Sequence, residues 1–449
     1  MSDPADAPAN ADSPDVVVRS DTARDSSREA SVWRNRSYVR LWMGETFSQV
    51  GEQLGTLAIP VLAVLVLDAT AQEVGLLNAA ETLAFLLIGL PVGAWVDRMR
   101  KRRVMMTADA VRAVVLASIP LLWAFGVLQI WYLFVVGAVV GGATVFFDVT
   151  YQSYVPRLVR PEQVASANSG LEASAQVARV GGPAASGGLL AIMPAPLVVL
   201  ATSIGYLFSF AFVASIRDDE PRHERSQHAS LPREIGEGLR FVFGTPLLRR
   251  ITLMTGSFNL FGGLVLTLLP LLVLRELGLS PAVYGVVTAM GAVGGILGAL
   301  CTPWLSRVIG EGTVIVVAAL VSSVPPFVIP LAALFPSAAI PLLVGADFLF
   351  SFGVLVYNIA QVSFRQRICP RPLLGRMNAS IRFVVWGVMP ISGVLAGALG
   401  GWLGVTTTMW IGAVLSLLGC GIVLFSPLTG MRKLPDGPAE PVRPSAIAD

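Results

Sequence analysis

Charge is scarce in this chain. Of 449 residues only 14% are Asp, Glu, Lys or Arg, 54% are hydrophobic, and the mean hydropathy is +0.70. That excludes a soluble domain of ordinary composition. Histidine is almost absent: His223 and His228 both lie in a polar loop, and Cys301, Cys369 and Cys420 are far apart. No zinc spacing or disulfide framework follows, and a histidine relay inside the apolar segments is excluded. Lysine occurs only as Lys101 and Lys433, so the basic residues are nearly all Arg; the net charge of +3 is too small and too divided for a nucleic-acid footprint. Together with abundant Ala, Gly and Val, that bias points to a high-GC bacterial genome and a cytoplasmic membrane. No Gly-x-x-x-x-Gly-Lys-Ser/Thr loop occurs, which argues against an ATP-driven pump, and no Ser/His/Asp constellation suggests an enzyme. No apolar run precedes Arg40, so a secretory signal is not expected.

What is present is a series of twelve apolar spans, each near the roughly 20 residues that cross about 30 Å of hydrocarbon as a helix. They run approximately over 40–67, 73–96, 104–126, 130–153, 165–192 and 196–216, then 250–274, 283–306, 313–333, 337–363, 375–399 and 403–426. This predicts an all-α membrane protein. Residues 1–38, rich in Asp, Ser, Ala and Arg, are expected to form a disordered tail, and 427–449 a second, Pro-rich one. Residues 39–216 and 250–426 form two six-helix bundles joined by a polar linker over 217–249, whose stretch from Glu234 to Phe243 is expected to lie on the membrane surface. Six arginines up to Arg40, the run Arg98, Arg100, Lys101, Arg102 and Arg103, and six linker arginines fall on one side; on the other only Arg275 breaks the pattern. By the positive-inside rule both termini are cytoplasmic.

The two halves repeat. A shift of 209 places Gly93 to Arg98 on Thr302 to Arg307; a shift of 210 places Asp148, Ser153, Tyr154 and Arg157 on Asn358, Ser363, Phe364 and Arg367. Such repeats, with a site at their interface near the bilayer midplane, are the design of secondary transporters.

Between spans 2 and 3, Gly93, Asp97, Arg98, Lys101 and Arg102 match the signature loop Gly-x-x-x-Asp-Arg/Lys-x-Gly-Arg/Lys-Arg/Lys, with Arg100 in place of its second Gly. Here the chain resembles the major facilitator superfamily, which implies two pseudo-symmetric six-helix bundles and a monomer as the usual working unit. The resemblance makes the loop a conformational latch, with Asp97 accepting from the start of span 11 around Leu374 to Asn378. In span 5, Ser169, Ala178, Gly182, Pro183, Ser186 and Gly187 keep the spacing of the small-residue series of drug/proton antiporters, a smooth face along which two bundles can seal. The stretches Phe146 to Pro156, Asn168 to Glu172 and Asn358 to Asn378 are similar to the transmembrane secretion effector branch, which includes siderophore and macrolide exporters.

Leaving out those at the span ends, ten ionisable residues lie inside the spans: Glu45, Glu52, Glu81, Asp109, Arg112, Asp148, Glu172, Arg179, Asp347 and Arg382. Each costs roughly 2.5–3.5 kcal/mol at a helix centre on insertion scales unless paired or hydrated. Counted along their helices, Glu45, Asp109, Arg112, Asp148, Glu172 and Arg382 lie near the cytoplasmic end. Asp109 and Arg112, three apart, can pair, and with Asp148 they read as part of the latch. Glu52, Glu81, Arg179 and Asp347 lie deeper. A carboxylate in low-dielectric surroundings favours its protonated form and can exchange a proton near neutral pH, which makes Glu52 and Glu81, then Asp347, the proton or cation-recognition candidates. Arg179 is the residue expected to neutralise Glu52 or Glu81 in one state. Gln49, Gln53, Tyr151, Gln176, Asn358 and Trp386, with Asn78, Phe85, Trp123, Phe258, Asn259 and Tyr357, are the expected cavity walls, a mixture suited to bulky amphipathic molecules.

The expected function is proton-coupled efflux of hydrophobic or amphipathic small molecules by alternating access, driven by the proton gradient, with no cofactor or metal. A nutrient symporter or uniporter, or a non-transporting membrane scaffold or receptor, are the alternatives.

Overall fold

In hydrocarbon every backbone polar group must find its partner within the chain, and an apolar segment does so as a helix. The computed structural model describes residues 31–89, 91–217, 231–370 and 373–433, apart from the side chains of residues 94, 97 and 231–235. Its first half contains α1 (Arg36–Val61), α2 (Ala71–Leu87), α3 (Val92–Asp97), α4 (Lys101–Ala124), α5 (Ile130–Leu158), α6 (Val164–Ile192) and α7 (Ala195–Ala214). After α8 (Leu231–Gly244) the second half contains α9 (Pro246–Leu271), α10 (Pro281–Ile309), α11 (Glu311–Ser323), α12 (Pro325–Leu331), α13 (Ala339–Ile368), α14 (Leu374–Gly387), α15 (Met389–Leu403) and α16 (Val405–Leu424). Among the described residues ten helical segments are long and apolar enough to cross a membrane. The remaining two passes are α2 with α3, interrupted between Leu87 and Val92, and α6, diluted by Gly, Ser, Glu172 and Arg179. The second-half breaks at Ser323–Pro325 and Gly387–Met389 have prolines just beyond them, Pro325 and Pro390, which donate no backbone hydrogen bond.

Arg36 and Pro246, the first residues of α1 and α9, are 210 apart, and that offset recurs through the fold. Each of these helices carries a late proline, Pro60 or Pro270, and ends in a wide π-helical turn, Leu62–Val66 or Leu272–Glu276. Two residues beyond each π turn comes a left-handed residue, Asp68 (φ 50°) or Gly278 (φ 61°), and then the N-caps Thr70 and Ser280. The fold is thus two pseudo-symmetric six-helix bundles.

The apolar cores show how the bundles meet. At the end away from the termini one core runs through both halves, from Leu57, Leu62, Val74 and Leu116 to Leu268, Leu272, Val287 and Ala396. At the end carrying the termini the cores separate into one built from residues 32–216 and another from 242–428. The far end is sealed, and the terminal end is divided.

Several expected boundaries change. The tail expected to reach residue 38 ends earlier, because Asn35 caps α1 through its side chain and Tyr38 is buried against the Ala167 carbonyl at 2.9 Å. Its residues 1–30, linker residues 218–230 and residues 434–449 lie outside the described residues. The stretch expected on the membrane surface is within α8, where Val242 is fully buried in the second-half core and Gly238 lies close to α14. Glu237 pairs with Arg376 there. The start of the second tail also docks: Leu428 is buried, and the Arg432 carbonyl accepts from the Glu311 amide at 3.2 Å. Position 100 has φ −73°, which any residue adopts, so the missing Gly leaves no strain.

Candidate functional site

Between the halves lies a cavity of about 560 Å³. Its walls carry Glu52 from α1, Glu81 and Asn78 from α2, Asp148 from α5, Tyr206 from α7, Tyr284 from α10 and Trp386 from α14. Glu52, Glu81 and Asp148 accept no side-chain hydrogen bond and form no ion pair among the described residues. Arg112 and Arg179 act on Glu52 only at longer range, and Arg179 forms no ion pair among the described residues. Asp148, counted from sequence into the latch, therefore shares a chamber with both deeper carboxylates. Asp347 is not among the residues lining that chamber; it lies between α13 and α10, over Gly291.

Asp109 and Arg112 form the pair their spacing allows, at 2.5 Å and almost wholly buried. Ser209 Oγ donates to the second Asp109 oxygen at 2.7 Å, and the guanidinium lies 4.5 and 4.2 Å from the centres of the Phe147 and Tyr206 rings. This closes the charge between α4, α5 and α7.

Of the six wall residues named first, Trp386 lines the cavity, with Phe85 edge-on to it at 4.9 Å and Arg382 over its ring at 4.6 Å. Gln49 donates to Glu45 at 2.9 Å and Gln176 to Glu172 at 2.5 Å. Gln53 packs against Gly182, Tyr151 against Phe147, and Asn358 accepts from Gln361 at 3.4 Å.

Toward the termini a smaller crevice of about 250 Å³ has Gly93, Val92 and Asp148 on one side and Gly375, Asn378 and Arg382 on the other. The signature loop therefore faces the start of α14. The Asp97 side chain, expected to make that contact, lies outside the described residues. Arg98 is exposed, whereas Lys101 donates to the Ser153 carbonyl at 3.1 Å and Arg102 to those of Val213 and Ala214. These cations satisfy carbonyls near the ends of α5 and α7, where the helix dipole favours positive charge.

The span 5 series marks a contact between the halves. Within the first half Ser186 Oγ donates to the Leu54 carbonyl at 2.9 Å, Ala178 is buried, and Ser169 bonds back to Ala165. Beside Pro183 and Gly187, α6 meets Gly285 of α10 so closely that a Cβ on Gly285 would stand 2.8 Å from Gly187 Cα. The 210-residue offset carries this contact onto Gly75 of α2 against Gly393 and Gly397 of α15, which the sequence reading did not name.

It also missed the part played by Arg275. Across the sealed end this side chain donates to the Ala69 carbonyl at 2.9 Å, the Val64 carbonyl at 3.1 Å and Asp68 Oδ1 at 2.7 Å. The apparent exception to the charge rule is a strap between halves. Asp68 is exposed, so the carbonyl bonds dominate; Arg275→Gln should weaken the seal by about 1–2 kcal/mol. A membrane-impermeant maleimide added on the sealed side should then label a cysteine introduced by Thr267→Cys faster. Unchanged labelling would remove the strap from gating.

Two repeated six-helix bundles closing over a shared, charged cavity define a membrane transporter of the major facilitator type. The chain belongs to the transmembrane secretion effector family (MFS_3), which it matches over residues 29–448. It is 27% identical over 387 residues to the multidrug efflux pump Tap of Mycolicibacterium fortuitum, covering 83% of this chain and 91% of that one. It is 24% identical over 425 residues to the MFS-type transporter YfiS of Bacillus subtilis (strain 168), covering 88% and 93%. Among solved structures, a bacterial homologue of the iron transporter ferroportin matches in its inward-facing state with TM-score 0.71, at 16% identity over 88% of this chain and 98% of that one. In its outward-facing state the TM-score is 0.54, at 17% identity over 86% and 98%.

Proposed function

We propose that this protein exports hydrophobic or amphipathic small molecules in exchange for protons, rocking its bundles about the central cavity. The observation that carries this reading is the cavity itself: three carboxylates with no side-chain hydrogen bond or ion pair among the described residues, beside Phe85, Tyr206, Tyr284 and Trp386. An apolar wall with a few charges suits an amphipathic molecule, and an unpaired carboxylate in such a wall can take up a proton when substrate leaves. The likeness to a multidrug efflux pump supports organic cargo. With the arginine-rich face and both termini in the cytoplasm of a bacterial cytoplasmic membrane, the sealed end faces outward and the structure is inward-facing. The gradient of protons supplies the energy, and the monomer suffices.

Inverted vesicles test this. Adding a lipophilic cationic dye to energised vesicles is expected to release protons, and Glu52→Gln or Glu81→Gln should lower the release. Dye movement indifferent to collapse of the pH gradient would overturn the coupling.

A further inference from the structure

The second and fourth passes of each half pack together, α2 on α5 and α10 on α13. In the first half the acid at this contact is Glu81 on α2, facing a glycine on α5: a Cβ on Gly137 would stand 2.9 Å from Glu81 Cγ. In the second half the acid is Asp347 on α13, and its carboxylate lies over Gly291 of α10, in the space a Cβ there would fill. The offset of 210 carries Glu81 onto Gly291 and Gly137 onto Asp347. Acid and glycine have exchanged helices while the carboxylate stays at the same place in the fold.

Neither carboxylate is held by a hydrogen bond or an ion pair among the described residues. An unpaired acid within a membrane span is costly, and a structural role would be expected to come with a partner. Here instead the partner on each facing helix is a glycine, which leaves room for the carboxyl. Tyr284 of α10 is the titratable group that shares an electrostatic interaction with Asp347, and Tyr284 also lines the central cavity that Glu81 faces. No charged side chain of α10, α11, α12 or α13 acts on Asp347 among the described residues.

We propose that Asp347 is the second-half counterpart of Glu81, so that each bundle carries one proton-binding carboxyl between its second and fourth passes and the transporter loads two protons per cycle. Each loading step adds one proton from water to a carboxylate oxygen and neutralises it. The proposal rests on the reading of Glu81 as a proton site.

Dicyclohexylcarbodiimide modifies protonated carboxyls in apolar surroundings, and mass spectrometry of the full-length protein locates the adduct. Both Glu81 and Asp347 should be labelled, each less as pH rises, and Asp347 should still be labelled in Glu81→Gln. An Asp347 that stays unlabelled, or whose labelling ignores pH, overturns the proposal. Asp347→Asn, close in size to the native side chain, should halve the protons released per substrate; an unchanged ratio also overturns it. The double variant Glu81→Gly/Gly137→Asp gives the first half the arrangement of the second. It should move the label to position 137 and recover the proton release lost in Glu81→Gly, whereas failure of both denies the equivalence. pH-dependent labelling at both sites with transport indifferent to the pH gradient would leave the paired sites standing and overturn the coupling instead.

Discussion

Gly285→Val is expected to stop substrate movement while leaving each bundle folded. The Cβ it adds would stand 2.7 Å from the Pro183 carbonyl oxygen and 2.8 Å from Gly187 Cα. Both are backbone atoms of α6, so no side chain can rotate aside and the helices must part. Overpacking of this kind costs about 1–3 kcal/mol, comparable with the few kcal/mol that separate two conformations of one protein. Because the contact joins the halves rather than building either, the cost falls on the sealed state. Gly75→Val should behave alike, since its Cβ would stand 2.5 Å from Gly397 Cα. Gly142→Val is the control, with nothing within 4 Å of its added Cβ. Transport by the three variants, with reagent access from the sealed side, gives the comparison; equal transport in Gly285→Val and Gly142→Val would remove the contact from the mechanism.

Arg112→Met should cause the largest loss of stability of any single charge removal. Its guanidinium is buried with Asp109, and taking it away leaves that carboxylate, among the described residues, with only the Ser209 hydroxyl as a side-chain partner. Breaking a buried pair by removing one member costs about 3–5 kcal/mol, while replacing both is far milder. Thermal unfolding in detergent should therefore rank Arg112→Met below Asp109→Asn/Arg112→Met, and the reverse order would deny the pair its role. Arg112 also acts electrostatically on Glu52 and Asp148. A double variant that recovers stability but releases no protons would assign Arg112 a second task at the cavity.

Much of the site was legible because charge is rare. Glu52 and Glu81 were singled out as acids in apolar helices, and both line the cavity. Depth, counted along a helix, is one coordinate; the direction a side chain faces is another, set by how the helix is rotated against its neighbours. That is why Asp148, shallow by count, shares the chamber, while Asp347, deep by count, lies against Gly291 beyond its lining. Gln49 and Gln176 were expected to face substrate, yet each is occupied by a glutamate one turn away on its own helix. Arg275 looked like an error in the charge pattern because the carbonyls it serves are more than 200 residues distant.

Membrane residence, the approximate passes, the internal repeat and the basic face were determined by the sequence alone, because hydropathy and self-similarity are properties of a line of residues. Which end is sealed, which carboxylates share a chamber, and that Glu81 and Asp347 hold one place from opposite helices were decided only by tertiary structure. Each depends on the rotation of packed helices and on contacts between halves, and no local stretch of chain encodes either.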